Sequence, residues 1–283
     1  MSFKDLTAGS LASCFAVTFT NPLDLLKTKH QLQSELSLSA RPIFSSLGSS
    51  FQKIYSTDGK FRGIQAGLSA AYAYQLLMNG TRFFCYQSLK KEADTSIGAN
   101  LVFGALSGAL GAAVAAPFNL VKVRMQSFSP SHQLKTGDQH SYKNVMDGLY
   151  RIFKKNGFSG FYEGSRMFIF RTGIGSCAQL AFYDASKSVF ESRNIVHSHL
   201  AASFVAGFMN SAVICPFDVL ATRLCNQAHK GIHYNGILDC FSKSVRNEGL
   251  FFMYKGFLPL FLRLGPHSIL TFVAYERIKQ FLS

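Results

Sequence analysis

Asp24 and Lys27 stand three residues apart in the run Asn21–Gln33, NPLDLLKTKHQLQ. On a helix that spacing puts a carboxylate and an ammonium on one face, so the chemistry they offer is ionic. Pro22 precedes them at the end of the uncharged stretch Leu6–Leu23. It predicts a kink, because its ring clashes with the preceding turn and it has no N–H to donate. One Pro-x-Asp-x-x-Lys arises easily by chance. This one recurs as APFNLVKVRMQ (Ala116–Gln126) and CPFDVLATRLCNQ (Cys215–Gln227), anchored on Pro117 and Pro216. A period of about one third of the chain predicts three repeats. A second set keeps the same period: YQSLK (Tyr86–Lys90), YDASK (Tyr183–Lys187) and YERIK (Tyr275–Lys279). There Gln87, Asp184 and Glu276 are each followed three residues later by Lys90, Lys187 and Lys279. That pattern predicts a second ring of ionic contacts at the mouth opposite the prolines.

Other reactive side chains form no site. The eight histidines have no ligand spacing and no triad, and His197 and His199 would point to different faces of a helix. His267 reads as a packed histidine before it reads as a proton carrier. The six cysteines show no CxxC spacing and read as small apolar residues. No metal, cofactor or enzymatic reaction is expected.

The elements that must position these charges are long and apolar. The chain of 283 residues is 48% apolar and only 16% charged, against roughly 25% for soluble proteins. Uncharged stretches cover Leu6–Leu23, Gly63–Thr81, Leu101–Val121 and Leu200–Phe217, with weaker ones at Thr172–Tyr183 and Leu264–Tyr275. A membrane-crossing helix needs about 20 mainly apolar residues, so these predict six spans with both termini on one side. The weaker two require Arg166, Arg171 and Arg263 near their starts to face water or an anion. The net charge of +14 suggests nucleic acid, but the basic residues are scattered and the apolar stretches too long. Handling of anions beside acidic lipids explains the charge better.

Each repeat has the same order of parts. Small residues precede each proline in register: Gly9 and Ser13, Gly104 and Gly108, Ser203 and Gly207. They predict close helix packing. Amphipathic surface helices are expected at about 42–56, 142–156 and 234–247. Asp58-Gly59, Asn156-Gly157 and Glu248-Gly249 then lead to Gly67, Gly164 and Gly256, which read as caps or turns. Residues 127–141 form the most polar loop. The N-terminal ten residues carry an acid and no Arg-rich segment, so no cleavable signal is expected.

Three copies each of Pro-x-[Asp/Glu]-x-x-[Lys/Arg] and aromatic-acid-x-x-base, some with substitutions, resemble the mitochondrial carrier family over the whole chain. The resemblance implies an all-α membrane protein of six transmembrane helices. They form three pseudo-symmetric repeats, 1–95, 96–192 and 193–283, with short surface helices between the pairs and a central cavity. It also implies two gates that open alternately. In the matrix gate, Asp24 would pair with Lys122 and Asp218 with Lys27. Asn119 and Ala221 stand where the third pair has lost both charges. Gln31 and Gln126 stand at the bracing positions, with Cys225 at the third. Gln87, Lys90, Asp184, Lys187, Glu276 and Lys279 would form the cytoplasmic gate.

The family's contact points fall near Gln75, Asn79 and Arg82, on Arg171 and Thr172, and on Arg263. Three arginines from three helices suit a carboxylate or sulfate, because guanidinium binds such groups in two-point fashion. The run RLGPHSIL resembles dicarboxylate and oxoglutarate carriers, and QLLMNGTR, RTGIGSCAQL and CPFDVLATRLCNQ together resemble the oxaloacetate carrier and its animal relatives. This implies transport of oxaloacetate, malonate, sulfate or a similar dianion across the mitochondrial inner membrane. A monomer surrounded by membrane lipids, cardiolipin among them, is expected, with no nucleic-acid partner. The rival readings are a carrier of an amino acid or nucleotide, and a carrier fold acting as an adaptor or proton leak.

Overall fold

The structure is a computed structural model that describes residues 3–33, 35, 43–91, 97–192, 198–227 and 233–282. Most of these residues are helical, with no strand among them. Six long helices are present: α1 (Phe3–Leu32), α4 (Leu68–Lys91), α5 (Ile97–Ser127), α7 (Ser165–Ser192), α8 (Ser198–Asn226) and α10 (Phe257–Leu282). Between members of each pair lie the short helices α2 (Leu47–Thr57) with α3 (Phe61–Ile64), α6 (Val145–Asn156) and α9 (Ile237–Glu248). Single 3-10 turns follow α6 and α9, at Phe158–Tyr162 and Leu250–Tyr254.

The long helices close into a ring. α1 packs on α4, α4 on α5, α5 on α7, α7 on α8, α8 on α10, and α10 returns to α1. α1, α5 and α8 also touch one another. Pro22, Pro117 and Pro216 lie inside these three helices, and Pro266 lies inside α10.

Along the first part of α1 and of α5, side-chain size is distributed in the reverse of a soluble protein. On α1, Ala8, Ala12 and Ala16 are fully buried, whereas Leu11, Phe15 and Phe19 are exposed. On α5, Ala112, Ala115 and Ala116 are buried and Leu106, Leu110 and Val114 are exposed. Small residues bring helix backbones together while large apolar ones face outward, which is the arrangement a lipid environment rewards. The small pairs expected from the sequence contribute less than these alanines. An added Cβ at Gly108 would lie 2.5 Å from Ser176 Oγ on α7, but at Gly9 and Gly207 it would meet nothing within 4 Å.

Three segments are long and apolar enough to cross a membrane: Gly98–Ser127, Ala202–Asn226 and Leu250–Gln280. Two coincide with stretches read as strong in the sequence and the third with one read as weak. α1 and α4 fall short because hydroxyl and amide residues such as Thr18, Thr20, Asn21, Gln75 and Asn79 interrupt them. The stretch Gly63–Thr81 is also not one helix; it breaks at Gln65–Gly67, where Gly67 has φ +75°.

The surface helices begin later than expected. Ser46 caps α2 and Asn144 caps α6, the latter accepting Asp147 N–H at 2.8 Å. Such caps fix the first turn. Residue 42 lies outside the described residues, and Tyr142 and Tyr234 precede their helices, Tyr234 as a fully buried core residue. Gly164 has φ +74°, and an added Cβ there would lie 2.4 Å from the Leu224 carbonyl. Only glycine allows that turn to press against the end of α8.

Candidate functional site

The proline motifs bring their charges together at one end of the ring. Asp24 on α1 contacts Lys122 on α5, and Lys27 Nζ lies 2.9 Å from Asp218 Oδ2 on α8. All four are buried. Gln31 Nε2 donates to Asp218 Oδ2 at 2.8 Å, and Thr222 Oγ donates to Gln31 Oε1 at 2.7 Å. Gln126 holds α1 instead: it donates to Asn21 Oδ1 at 3.2 Å and accepts Thr28 Oγ–H at 2.9 Å. Cys225 is buried where the third glutamine would be. Gly67 packs on Gln126 and Gly256 on Gln31, so each brace is wedged by a glycine turn.

Two arginines join this cluster from the other set of helices. Arg171 Nε on α7 lies 2.8 Å from Asp218 Oδ1, and Arg263 Nη1 on α10 lies 3.2 Å from Asp24 Oδ1. Each carboxylate is therefore shared between a lysine and an arginine. The Arg263 Nε–H finds no hydrogen-bond acceptor among the described residues, and Arg171 Nε meets Asp218 as a close ionic contact without an aligned hydrogen bond. Tyr74 and Phe168 form the apolar wall: Lys122 Nζ sits 5.4 Å from the Tyr74 ring and the Arg171 guanidinium 5.9 Å from the Phe168 ring. Asn119, Ala221 and Thr222 line the same gap, which has a volume of about 40 Å³. That is room for a few waters and far less than a small-molecule site, which runs to about 300–1,000 Å³.

The remaining candidates lie away from this gap. Gln75 Nε2 is 3.2 Å from His267 Nε2, whose Nδ1 is 3.3 Å from Thr20 Oγ. Thr172 Oγ donates to Phe168 O at 2.8 Å, in its own helix. Arg82 on α4 packs near Gly111 of α5. Asn79 is half-buried, and Arg166 is exposed. At the opposite end Asp184, Glu276 and Lys279 are exposed, and Gln87 and Lys187 are half-buried. Lys279 Nζ lies 5.8 Å from the Tyr275 ring. The side chain of Lys90 lies outside the described residues.

Sequence reading passed over Phe168, Thr222, Asn21 and Thr28. It also passed over the buried bases Lys29, Arg124 and Arg223, each two residues beyond a motif position. Their recurrence in register was the available signal.

The family model for the mitochondrial carrier protein matches three times, at residues 2–95, 93–194 and 192–283. The mitochondrial oxaloacetate transport protein of Saccharomyces cerevisiae is 38% identical, covering 97% of this chain and 88% of its own. Mitochondrial citrate transporter E of Aspergillus niger is 37% identical (97% and 92%), and the mitochondrial dicarboxylate carrier of Caenorhabditis elegans 33% (96% and 91%). The chain belongs to the mitochondrial carrier family and is a transporter, not an enzyme.

Proposed function

We propose that the chain moves small dianions, oxaloacetate, malonate, sulfate or a similar dicarboxylate, across the mitochondrial inner membrane. It does so as a monomer in which all six long helices span the bilayer as three pseudo-symmetric pairs. The proline-motif end is the matrix gate, closed here. The Gln87, Asp184 and Glu276 end is the cytoplasmic gate, and substrate enters there.

One observation carries the substrate class. Among the described residues, Lys27, Lys122, Arg171 and Arg263 share a buried cluster with two carboxylates, Asp24 and Asp218. The cluster keeps a surplus of two positive charges, and unpaired buried charge is costly. A dianion cancels that surplus, whereas a monoanion leaves half of it. A ligand arriving from the open end meets Arg171 and Arg263 first and competes with Asp218 and Asp24 for them. Drawing the arginines away weakens the hold on both acids, so occupancy of the site loosens the gate below it. The relatives named for oxaloacetate, citrate and dicarboxylates favour the same ligand chemistry.

A thermal-unfolding screen of the purified protein tests this. Malonate, oxaloacetate and sulfate are expected to raise the melting temperature, and monocarboxylates, amino acids and nucleotides to leave it unchanged. Stabilisation by nucleotides or amino acids, with none by any dianion, overturns the assignment.

A further inference from the structure

Each proline is followed seven residues later by a buried base: Lys29 on α1, Arg124 on α5 and Arg223 on α8 are at most 3% exposed. Two of the three meet a carboxylate from the step that follows the surface helix. Lys29 Nζ lies 3.5 Å from Asp58, and Arg223 grips Glu248 with both terminal nitrogens, at 2.7 and 2.8 Å. In the middle repeat that step is Asn156-Gly157.

Arg124 therefore has no carboxylate within ion-pair distance among the described residues. The neighbouring undescribed residues 228–232, AHKGI, include no acid. Neutral acceptors hold it instead: Cys225 O at 3.1 Å, Gln227 O at 3.1 Å and Tyr142 Oη at 3.3 Å. The companion charge is reversed as well. Lys255 pairs with Glu248 in the third repeat, but Glu163 takes the matching place in the second and accepts Asn156 Nδ2–H at 2.8 Å.

A cavity of about 380 Å³ opens at this position, lined by Arg124, Arg151, Lys155, His140, Tyr142 and Asn156. Asp138 also borders it, beside His233 at 3.2 Å, and Arg151 shares Asp147 at 2.8 Å. Burial, with Arg124 alongside, pushes the His140 imidazole down to about 4, so it stands neutral in the wall.

We propose that this cavity binds a phosphate-type oxyanion, which gives Arg124 the negative charge that Asp58 and Glu248 give its two counterparts. A guanidinium at the back and an ammonium at the rim suit a tetrahedral anion. The bound anion ties α6 to α5, as the built-in carboxylates tie α2 to α1 and α9 to α8, and so stabilises the closed proline-motif end. The proposal rests on comparison of the repeats and is independent of the substrate assigned above.

The test is thermal unfolding of the full chain in nanodiscs, titrated with inorganic phosphate. Four proteins are compared: wild type, Arg171→Gln, which removes any response from the central cluster, and Asn156→Glu and Lys155→Gln built in the Arg171→Gln background. Saturating phosphate is expected to raise the wild-type and Arg171→Gln melting temperatures by about 2–4 °C. The response is expected to vanish in Asn156→Glu, which supplies the acid internally, and to weaken in Lys155→Gln. Stabilisation in pure phosphatidylcholine discs identifies a free anion; stabilisation only when phosphatidic acid is added identifies a lipid phosphate. A response that survives in both cavity variants, one abolished by Arg171→Gln alone, or none to either phosphate source overturns the proposal.

Discussion

The two ends of the helical ring carry the same kinds of residue in the same threefold recurrence, yet in opposite surroundings. At the proline-motif end Asp24, Lys27, Lys122 and Asp218 are between 2 and 8% exposed, and two further arginines crowd in. At the other end Asp184, Glu276 and Lys279 face solvent. Buried pairs are expensive to break by removing one partner, whereas exposed pairs contribute little. The difference is one of burial: among the described residues, the desolvated ion pairs of the two sets lie at the proline-motif end. Alternation would require that burial to pass from one end to the other.

The largest contrast comes from deleting an acid at each end. Asp218→Ala strands Lys27 and Arg171 and is expected to cost about 3–5 kcal/mol. Glu276→Ala is expected to cost under ~1 kcal/mol. Thermal or denaturant unfolding of the purified variants measures both, and equal losses break the comparison.

The turns sharpen it next. Gly164 and Gly157 both have positive φ, but a Cβ at Gly164 strikes the Leu224 carbonyl while one at Gly157 meets open space. Gly157→Ala should cost about 1–2 kcal/mol through backbone strain alone. Gly164→Ala adds a displacement of α8 and should reach about 2–5 kcal/mol. Matching unfolding midpoints would mean the turn does not press on the gate.

The missing third pair offers a gain. Asn119→Asp with Ala221→Lys restores both charges inside the same gap, and the pair should show a favourable coupling of about 1–3 kcal/mol in a double-mutant cycle. Ala221→Lys alone adds to the positive surplus and should destabilise. The double variant should also slow uptake, because it strengthens a gate that must open. Absence of coupling would reject pairing between these two positions.

The smallest effect is a pH dependence outside the ring. Burial raises the Glu35 carboxyl to about 7, although Arg223 and the Tyr234 hydroxyl, which donates to it at 3.0 Å, pull the other way. The folded state then holds a proton that the unfolded state releases near 4.5. Its contribution is complete below that value and is lost as pH climbs toward about 7. Glu35→Gln should flatten the stability profile in that window by under ~2 kcal/mol. An unchanged profile would place the titration elsewhere.

Much of this arrangement was legible in the sequence, because repetition separates a motif from chance. The prolines at 22, 117 and 216 marked three helices that lie side by side, and the family resemblance placed Gln31 as a brace one turn beyond Lys27. Other features depend on what reaches across between helices. Nothing in the spacing of Arg171 and Arg263 says that they will contact Asp218 and Asp24, because those contacts join separate helices. Lys29, Arg124 and Arg223 were passed over although they recur in register, and their burial comes from packing between helices. The starts of α2 and α6 are set by the Ser46 and Asn144 caps, which the sequence reading did not use.

Transport itself tests the central claim, that Arg171 and Arg263 together receive a dianion. The measurement is the initial uptake of radiolabelled malonate into proteoliposomes carrying the wild type, Arg171→Gln or Arg263→Gln, each shown by its melting temperature to be folded. Loss of one charged hydrogen-bonding group should lower the rate by about 10–100-fold in each variant. Uptake at the wild-type rate in either folded variant would contradict the claim.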